Sequence, residues 1–367
     1  MTPEDYMRIA IQEARKGEGW TNPNPMVGAV IVKDGKILNK DYHHKCGEYH
    51  AERNAILNCK EDMRGAEIYV TLEPCCHYGK TPPCTEIIIE SGIRKVYVGS
   101  MDSNPLVGGK GVEMLRAHGI EVVTGILEEE CREINQVFFH FMERKTPYVV
   151  MKYAMTADGK IATVTGASKW ITGEAARARV QRSRHKYMGI MVGVGTVLAD
   201  NPSLTCRIEG GRNPIRIICD THLRTPPHAE VVETAREIRT IIATCERDAE
   251  KISPYEQAGC QIVITGEYES HVDLRELMRR LGDMGIDSIL LEGGGSLNAS
   301  ALAQGIVHRV ESYIAPKLFG GTSAKSPVAG SGVLEPAQAY GLANPRISQI
   351  EEDILIEWEV ADCSRES

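Results

Sequence analysis

Hydrophobic and polar positions alternate rapidly along the first 145 residues, in a pattern that predicts helices and strands in turn. An amphipathic helix is predicted from Thr2 to Lys16, where Thr2 caps the helix and Asp5 completes a capping box. The remaining predicted elements are strands at 27–32, 68–72, 96–98 and 122–124 and helices at 50–57, 85–91 and 112–118. This alternation is typical of an α/β layered domain.

A second region of the same kind follows a short polar stretch at 141–147, which contains Pro147 and is predicted as a domain boundary. Strands are predicted at 148–151, 188–194, 215–219, 240–243, 261–264, 288–291 and 354–358, with helices between several of them. For 367 residues, length alone favours two or three domains. The sequence therefore predicts an α/β chain of two domains, 1–145 and 146–367.

Charge and cysteine content narrow the class of protein. The net charge of −8 argues against a nucleic-acid partner, because neutralising phosphates requires clustered Lys and Arg. No signal peptide is visible at the N-terminus, and no apolar run approaches the ~18 residues of a membrane helix. The eleven cysteines are irregularly spaced, which favours reduced thiols in a cytoplasmic enzyme over a disulfide framework.

The most specific chemical signal is a set of zinc-ligand residue types in the first domain. His50, Cys75 and Cys84 supply one imidazole and two thiolates, and a catalytic zinc site uses three protein ligands with an open fourth position. That position holds a water whose pKa the metal lowers toward neutrality. Glu52 lies two residues after His50 and is predicted to carry protons from the water to a leaving amine.

The local pattern supports a catalytic zinc site. Cys75 follows a predicted strand, and Cys84 opens a predicted helix whose dipole is expected to favour its thiolate. The arrangement resembles the H-x-E and P-C-x-x-C pattern of zinc nucleobase deaminases, although these cysteines are nine positions apart. The alternative is a closed structural site with Cys76 or His77 as a fourth ligand, in which Glu52 has no role.

The second domain carries a weaker signal. It contains no G-x-G-x-x-G fingerprint, but a buried strand at 288–291 runs into Glu292, three glycines and a predicted helix. Such a loop allows backbone amides to approach a phosphate at a helix N-terminus. The alternative interpretation is a tight turn between a strand and a helix.

Several segments resemble the bifunctional deaminase–reductase family of riboflavin biosynthesis. In the first domain these are 22–28, 47–52, 73–84 and 102–105, where Ser103 and Cys76 depart from the usual proline and serine. In the second domain they are 152–162, 168–173 and 195–205, where 155–157 depart from the usual pattern before Asp158. The resemblance spans nearly the whole chain.

The resemblance implies an N-terminal cytidine-deaminase-like three-layer domain and a C-terminal dihydrofolate-reductase-like domain. It implies a small-molecule substrate, a diaminopyrimidinone with a phosphoribosylamino group, which is deaminated to the corresponding uracil. The ribose of that product is then reduced to a ribityl chain. The implied cofactors are one Zn²⁺ per chain and NADPH, and we expect a cytoplasmic homo-oligomer without nucleic-acid or membrane partners.

The resemblance also implies site residues, carried over position by position. In the deaminase these are Asn24 and His77 for the base and Lys80 for the phosphate. The implied NADPH contacts are Ala154, Trp170, Thr196, Asp200, Thr221, Gly294, Gly295, Ser296, Leu297, Asn298, Ala299 and Ser300. The implied reductase substrate contacts are Ser168, Arg184, Leu204, Arg207 and Glu292, with Lys152 and Glu292 as polarising or orienting groups. Arg184 and Arg207 are both predicted to clamp the substrate phosphate, because a guanidinium binds phosphate oxygens in a bidentate way.

Four of these residues have plainer alternative interpretations from the sequence alone. Asn24 could be a turn residue between two prolines, and Lys80 a solvated surface lysine. Arg184 could belong to a solvated basic helix face, because it lies among other cations. Trp170 could be a core tryptophan.

Three other protein classes also remain possible. A tRNA- or DNA-editing deaminase would share the zinc pattern, although the acidic charge and the long second domain oppose it. A non-catalytic zinc scaffold would need four protein ligands. A chain with one inactive domain is the third, because the second half lacks a diagnostic chemical group.

Overall fold

The structure, a computed structural model, describes residues 1–79, 81–103 and 108–361. It divides into two units, Met1–Lys145 and Thr146–Ser367. Within the described residues, no helix has the length and apolar character needed to cross a membrane. Lys80 and the Asn104–Pro105 part of the 102–105 motif lie outside the described residues.

The first unit is built on a five-stranded sheet with strand order β2-β1-β3-β4-β5. Strands β3, β4 and β5 are parallel, whereas β1 is antiparallel to both of its neighbours. The strands are β1 (Gly28–Lys33), β2 (Lys36–Tyr42), β3 (Glu67–Leu72), β4 (Lys95–Ser100) and β5 (Glu121–Thr124). The helices are α1 (Pro3–Ala14), α2 (Ala51–Leu57), α3 (Cys84–Glu90), α4 (Lys110–Ala117), α5 (Glu128–Ile134) and α6 (Gln136–Arg144), with a 3-10 turn at Arg15–Gly17.

Successive residues of β1 enter two different cores, which makes this unit three-layered. Ala29 and Ile31 pack in the core that also contains residues of α2, α3 and α4, whereas Val30 and Val32 pack with α1. Gly28 permits the close approach of α1, because a Cβ at this position would lie 1.9 Å from the Ala10 carbonyl oxygen. The predicted capping box of α1 is confirmed, with Thr2 and Asp5 bonded reciprocally.

The second unit contains a nine-stranded sheet in its described part, with order β10-β9-β8-β7-β13-β6-β14-β16-β15. The first seven of these strands are parallel, and β16 and β15 are antiparallel additions. Its strands are β6 (Tyr148–Thr156), β7 (Gly189–Gly193), β8 (Ile215–Cys219), β9 (Thr240–Thr244), β10 (Gln261–Ile264), β13 (Ser288–Leu291), β14 (Arg309–Ala315), β15 (Leu342–Ile350) and β16 (Asp353–Val360), and a separate hairpin joins β11 (Glu267–Tyr268) to β12 (His271–Val272).

Helices and buried side chains cover the central strands of this sheet on both faces. Ile217 and Ile218 are successive residues of β8, and they belong to different core clusters. The helices are α7 (Glu174–Lys186), α8 (Val194–Asp200), α9 (Glu230–Glu233), α10 (Ala249–Ala258), α11 (Leu274–Asp283) and α12 (Gly295–Ala303), with a 3-10 turn at Pro336–Gln338.

The predicted strands at 215–219, 261–264 and 288–291 agree with β8, β10 and β13 residue for residue. The sequence prediction omitted β2, β14 and β15 and the helices α5 and α6. The omission of β2 affects the site, because His43 follows directly after it.

Candidate metal centre and reductase site

Three predicted ligands of the first unit come together. His50 caps the N-terminus of α2, Cys75 follows β3, and Cys84 is the first residue of α3. One ligand atom from each lies within 4.8 Å of the others, and the described residues contain this one group of potential metal ligands. The His50 Nδ1 atom lies 3.5 Å from Cys75 Sγ and 3.6 Å from Cys84 Sγ.

These donor atoms fit zinc. Bonds of about 2.3 Å to sulfur and 2.0 Å to nitrogen at a tetrahedral angle would separate sulfur and nitrogen by about 3.5 Å, which matches the distances to His50. Among the described residues, neither Cys76 nor His77 joins the donor group. The donor set therefore has three protein ligands, which is the composition of a catalytic zinc site rather than a closed structural one.

Hydrogen bonds hold Cys75 and Cys84 next to each other, although the two cysteines are nine positions apart in the sequence. The Cys84 amide donates to Cys75 Sγ at 3.3 Å, and the Thr85 amide and hydroxyl donate to the Cys75 carbonyl at 3.2 and 3.3 Å. Arg53 Nη2 donates to the Pro83 carbonyl at 3.2 Å. Helix α2, for which His50 is the N-cap, is thereby linked to Pro83, the residue before Cys84.

The first amide of α3, that of Cys84, donates to Cys75 Sγ, so the helix terminus contacts the sulfur of Cys75. The Cys84 side chain, and after it His50, lower the pKa of Cys75 to about 4 against the opposing effect of burial. The pKa of Cys84 is raised, because Cys75 and burial both oppose a second thiolate. The amide at the start of α3 adds a smaller contribution in the same direction to the pKa of Cys75.

Glu52 lies in the first turn of α2 and is 2% exposed. Burial raises the pKa of its carboxyl group to about 7. Its Oε2 atom is buried and has no hydrogen-bond partner. A carboxyl group that titrates near neutrality is suited to accept and return a proton, and the unpaired oxygen is available to a reacting molecule.

His43 was not predicted as a site residue. It is 1% exposed, and its ring packs edge-on against His50 with the ring centroids 5.2 Å apart. Its Nδ1 donates to the Tyr49 carbonyl at 3.0 Å, so Nε2 accepts from Asn24 Nδ2 at 3.3 Å. Burial lowers the pKa of His43 to about 4, which keeps the ring neutral and fixes the orientation of the Asn24 amide.

Other predicted deaminase residues are less fully defined. The Nδ1 atom of His77 is buried and has no hydrogen-bond partner. Lys80 lies outside the described residues. Glu73, two residues before Cys75, accepts hydrogen bonds from the Gly109 and Val112 amides at the start of α4 at 3.0 and 3.1 Å. That role was not predicted.

Predicted reductase residues lie at the carboxyl ends of four neighbouring parallel strands, where α/β sheets usually bind ligands. Ala154 lies on β6, Thr196 on the helix after β7, Thr221 after β8, and Glu292 after β13. These strands are adjacent in the order β8-β7-β13-β6. The topology therefore brings to one edge residues that are up to 138 positions apart in the sequence.

The loop of three glycines leads into α12, for which Gly294 is the N-cap without a side-chain hydrogen bond. A Cβ at Gly294 would meet no atom within 4 Å, whereas one at Gly295 would lie 2.7 Å from the Ser326 carbonyl oxygen. Asn298 Nδ2 donates to the Pro327 carbonyl, and its buried Oδ1 has no partner. Open space beside the first amides of a nine-residue helix fits a phosphate of a dinucleotide. Ser296, Leu297, Ala299 and Ser300 lie on the same helix.

Arg184 and Glu292 form a largely buried ion pair, with side chains 15% and 13% exposed. Arg184 donates through Nε and Nη2 to the two Glu292 oxygens at 2.7 and 3.0 Å, and through Nη1 to the Thr205 carbonyl at 3.0 Å. The alternative of a solvated helix face is therefore wrong for Arg184. The pKa of Glu292 is lowered despite burial, because Arg184 and Lys152 stabilise its charge.

Of the other implied contacts in the second unit, Leu204 is buried and the rest lie at the surface. Trp170 is 62% exposed, so the alternative of a core tryptophan is wrong. The Arg177 guanidinium stacks 4.7 Å from its ring centroid, and Lys317 donates to its carbonyl at 3.1 Å. Ser168 and Arg207 are exposed, and Leu204 is 3% exposed with a positive φ of 51°. Asp200 ends α8, 4.0 Å from Lys169.

Comparison with known proteins identifies both units. A family model described as the RibD C-terminal domain matches residues 147–356, and one described as the cytidine and deoxycytidylate deaminase zinc-binding region matches residues 1–100. The first of these covers more than half of the chain. The chain belongs to the RibD family. It is a bifunctional deaminase and reductase of riboflavin biosynthesis that uses zinc and NADPH.

Similar RibD proteins match over nearly their full lengths. The riboflavin biosynthesis protein RibD of Actinobacillus pleuropneumoniae is 57% identical over 98% of this chain and 96% of its own length. That of Bacillus amyloliquefaciens is 44% identical over 96% and 95%. The solved structure of Acinetobacter baumannii RibD, form 1, has a TM-score of 0.88 at 35% identity and covers 98% of this chain and 99% of that one.

A further solved structure, from Thermotoga maritima, has a TM-score of 0.86 at 39% identity and covers 98% of this chain and 99% of that one. It is described as a diaminohydroxyphosphoribosylaminopyrimidine deaminase and 5-amino-6-(5-phosphoribosylamino)uracil reductase. The predicted combination of a cytidine-deaminase-like domain with a RibD reductase domain of dihydrofolate-reductase-like fold is confirmed.

Proposed function

We propose that the first unit deaminates 2,5-diamino-6-(5-phosphoribosylamino)pyrimidin-4-one and that the second unit reduces the ribosyl group of the resulting uracil. The names of the Thermotoga maritima activities support this pair of substrates. The observation that carries the deaminase half is the buried Glu52 carboxyl group, with an unpaired oxygen, two residues from a zinc ligand set. A structural zinc site has no use for such a group.

In the deamination, His50, Cys75 and Cys84 would hold the zinc ion. Bound there, zinc lowers the pKa of a coordinated water and so supplies a nucleophile at neutral pH. Glu52 accepts a proton from the water and returns one to the amine that leaves as ammonia. Asn24, held by His43, orients the pyrimidine, and His77 and Lys80 contact the base and the phosphate.

In the reduction, bound NADPH would supply a hydride for C1′ of the ribose. The bond from C1′ to the ring oxygen would open, and this oxygen would take up a proton from solvent. Lys152 stabilises the charge that develops there, and Glu292 orients the substrate. Arg184 holds Glu292 in place, since three of its N–H groups are already engaged. Ser168, Leu204 and Arg207 contact the substrate.

The cofactor contacts follow the same carboxyl edge of the sheet. The amides of Gly294 and Gly295 would bind a phosphate of NADPH. Asn298 supports this loop through its hydrogen bond to the Pro327 carbonyl, its unpartnered Oδ1 could accept only from a donor group of the cofactor, and Trp170 would contact the cofactor. Ala154, Thr196, Asp200 and Thr221 complete the cofactor site. We further propose that the enzyme is a cytoplasmic homo-oligomer that acts on small molecules and has neither nucleic-acid nor membrane partners, in keeping with its net charge of −8.

Exchange of Glu52 for glutamine tests the deaminase assignment. We expect Glu52→Gln to slow deamination by about two to four orders of magnitude, because general acid–base catalysis contributes this much. Zinc content and reduction of the already deaminated substrate should remain as in the wild type. Glu48→Gln is the control, because Glu48 is an exposed carboxylate in the same segment. Normal deamination by Glu52→Gln, or loss of both activities in a folded variant, would contradict the proposal.

A further inference from the structure

Four adjacent strands of the second unit place a row of charged side chains on one face of the sheet. Glu311 on β14 pairs in register with Lys152 on β6 and with Glu357 on β16. Glu292 follows Leu291, which pairs with Met151, so Glu292 faces Lys152 from the other side. Directly paired residues share a face of a sheet. Lys152 therefore lies between two carboxyl groups, Glu292 and Glu311.

The outer carboxylates of this row have cationic partners. Glu292 pairs with Arg184 of α7, and Glu357 pairs with Arg309 at 3.3 Å and Arg179 at 3.6 Å. Glu311 is 6% exposed and accepts a hydrogen bond from the Tyr313 hydroxyl at 3.5 Å. Burial, and after it Glu357, raise the pKa of Glu311, whereas Lys186, Arg309 and Arg179 lower it. The net shift is upward, which limits the negative charge that Lys152 meets on this side.

Tyr313 supplies an interaction for Lys152 that does not depend on a carboxylate. It is fully buried, lies two residues after Glu311 on the same face, and presents its ring 5.7 Å from Lys152 Nζ. The negative face of an aromatic ring attracts an ammonium group, most strongly where water is excluded. Tyr313 pairs with Ala154, two residues beyond Lys152 toward the carboxyl end of β6.

We propose that Tyr313 is a positioning residue whose ring keeps the Lys152 ammonium charged and directed at the reductase site. This inference rests on the role assigned to Lys152 in the proposed function. Burial lowers the pKa of Lys152, whereas Glu292 and Glu311 raise it and Arg184 lowers it. The Tyr313 ring offsets part of the cost of burial, so the ammonium persists at the pH at which the reduction needs it.

The test changes the electron density of the ring and leaves its shape nearly unchanged. Tyr313→Phe and a variant with pentafluorophenylalanine at position 313 are compared with wild type in the full-length protein. The measurement is reductase kcat/KM against pH, together with the Kd for NADPH and the melting temperature. Tyr255, which is buried in a different core cluster, receives the same two replacements as the control.

We expect Tyr313→Phe to retain the basic limb of the pH profile and the fluorinated ring to move it down by about 0.5 to 1.5 pH units. The sign follows because a weaker ring lowers the pKa of Lys152, so activity is lost at a lower pH. The NADPH Kd should stay within about twofold. If the basic limb lies at the same pH in Tyr313→Phe and in the variant with pentafluorophenylalanine, Tyr313 does not have the positioning role.

Lys152→Met separates this inference from the proposed function. If Lys152→Met removes the basic limb while fluorination at position 313 leaves the limb in place, only the role of Tyr313 fails. If Lys152→Met leaves the rate and its pH profile unchanged, the assignment of Lys152 and the inference both fail. A limb that moves equally on fluorination at positions 255 and 313 would also refute the inference.

Discussion

Alanine replacements of Arg184 and Arg207 should have different consequences, although both side chains are cationic and the two residues are close in the sequence. Arg184 is buried and engages Glu292 and the Thr205 carbonyl through three N–H groups. The Arg207 side chain is exposed, and its backbone amide donates to Gln181 Oε1. Arg207 is therefore available to a substrate phosphate, whereas Arg184 is committed to holding Glu292.

The expected magnitudes follow from these environments. Arg184→Ala leaves the Glu292 carboxylate buried without its main partner, which should lower the free energy of unfolding by about 3–5 kcal/mol. It should also slow the reduction of phosphorylated and dephosphorylated substrates by the same factor. Arg207→Ala should change stability by less than about 0.5 kcal/mol. Loss of a charge-assisted phosphate contact worth about 1.5–3 kcal/mol should lower kcat/KM for the phosphorylated substrate by about 10- to 150-fold.

The assay is reductase kcat/KM for both substrates with wild type, each single variant and the double variant, alongside urea unfolding. Glu292→Gln in the wild-type and Arg184→Ala backgrounds completes a double-mutant cycle, which measures the coupling of the pair. A phosphate-selective loss in Arg184→Ala would refute the assignment of this arginine to Glu292. An equal loss for both substrates in Arg207→Ala would show that Arg207 does not contact the phosphate.

Two further predictions address the metal centre and the stability of the second unit. Cys84→Ser should lose most of its zinc, whereas Cys76→Ser should keep it, and elemental analysis measures the zinc content of both. Equal loss from the two variants would favour a four-ligand site. Arg216→Met should lower the free energy of unfolding by at least about 3 kcal/mol, because the fully buried guanidinium donates five hydrogen bonds to neutral oxygens at 2.8 to 3.3 Å. Urea unfolding measures this effect, and the exposed Arg239→Met should stay within about 0.5 kcal/mol of wild type.

The zinc ligands could be predicted from the sequence because their residue types are themselves a chemical signature. His43 was missed because it follows β2, a partly exposed strand whose polar residues hide the alternation. Strand β14 was missed for a related reason, since Arg309 and Glu311 interrupt its apolar run. Strand β15 is mostly exposed and contains Pro345, which argues against a strand on sequence grounds.

Partnerships across long sequence separations could not be predicted from local patterns. Arg184 and Glu292 are 108 positions apart, and nothing in the basic run around Arg184 distinguishes it from its neighbours. Sequence position alone likewise does not reveal which sulfur the first amide of a helix faces, and the first amide of α3 donates to Cys75. Both cases depend on side-chain directions that exist only in the folded chain.

The hydrogen bonds that join Cys84 and Thr85 to Cys75 make the position of the zinc ligands independent of the segment between them, which contains the predicted substrate contacts His77 and Lys80. The ends of the intervening segment, 76–83, are fixed beside the zinc ligands, so changes within the segment need not move the donor atoms. Lengthening a loop with fixed ends costs little, about 0.6 kcal/mol for each doubling. The segment can therefore diverge in length and sequence, and with it the choice of substrate, while the chemistry of deamination remains the same.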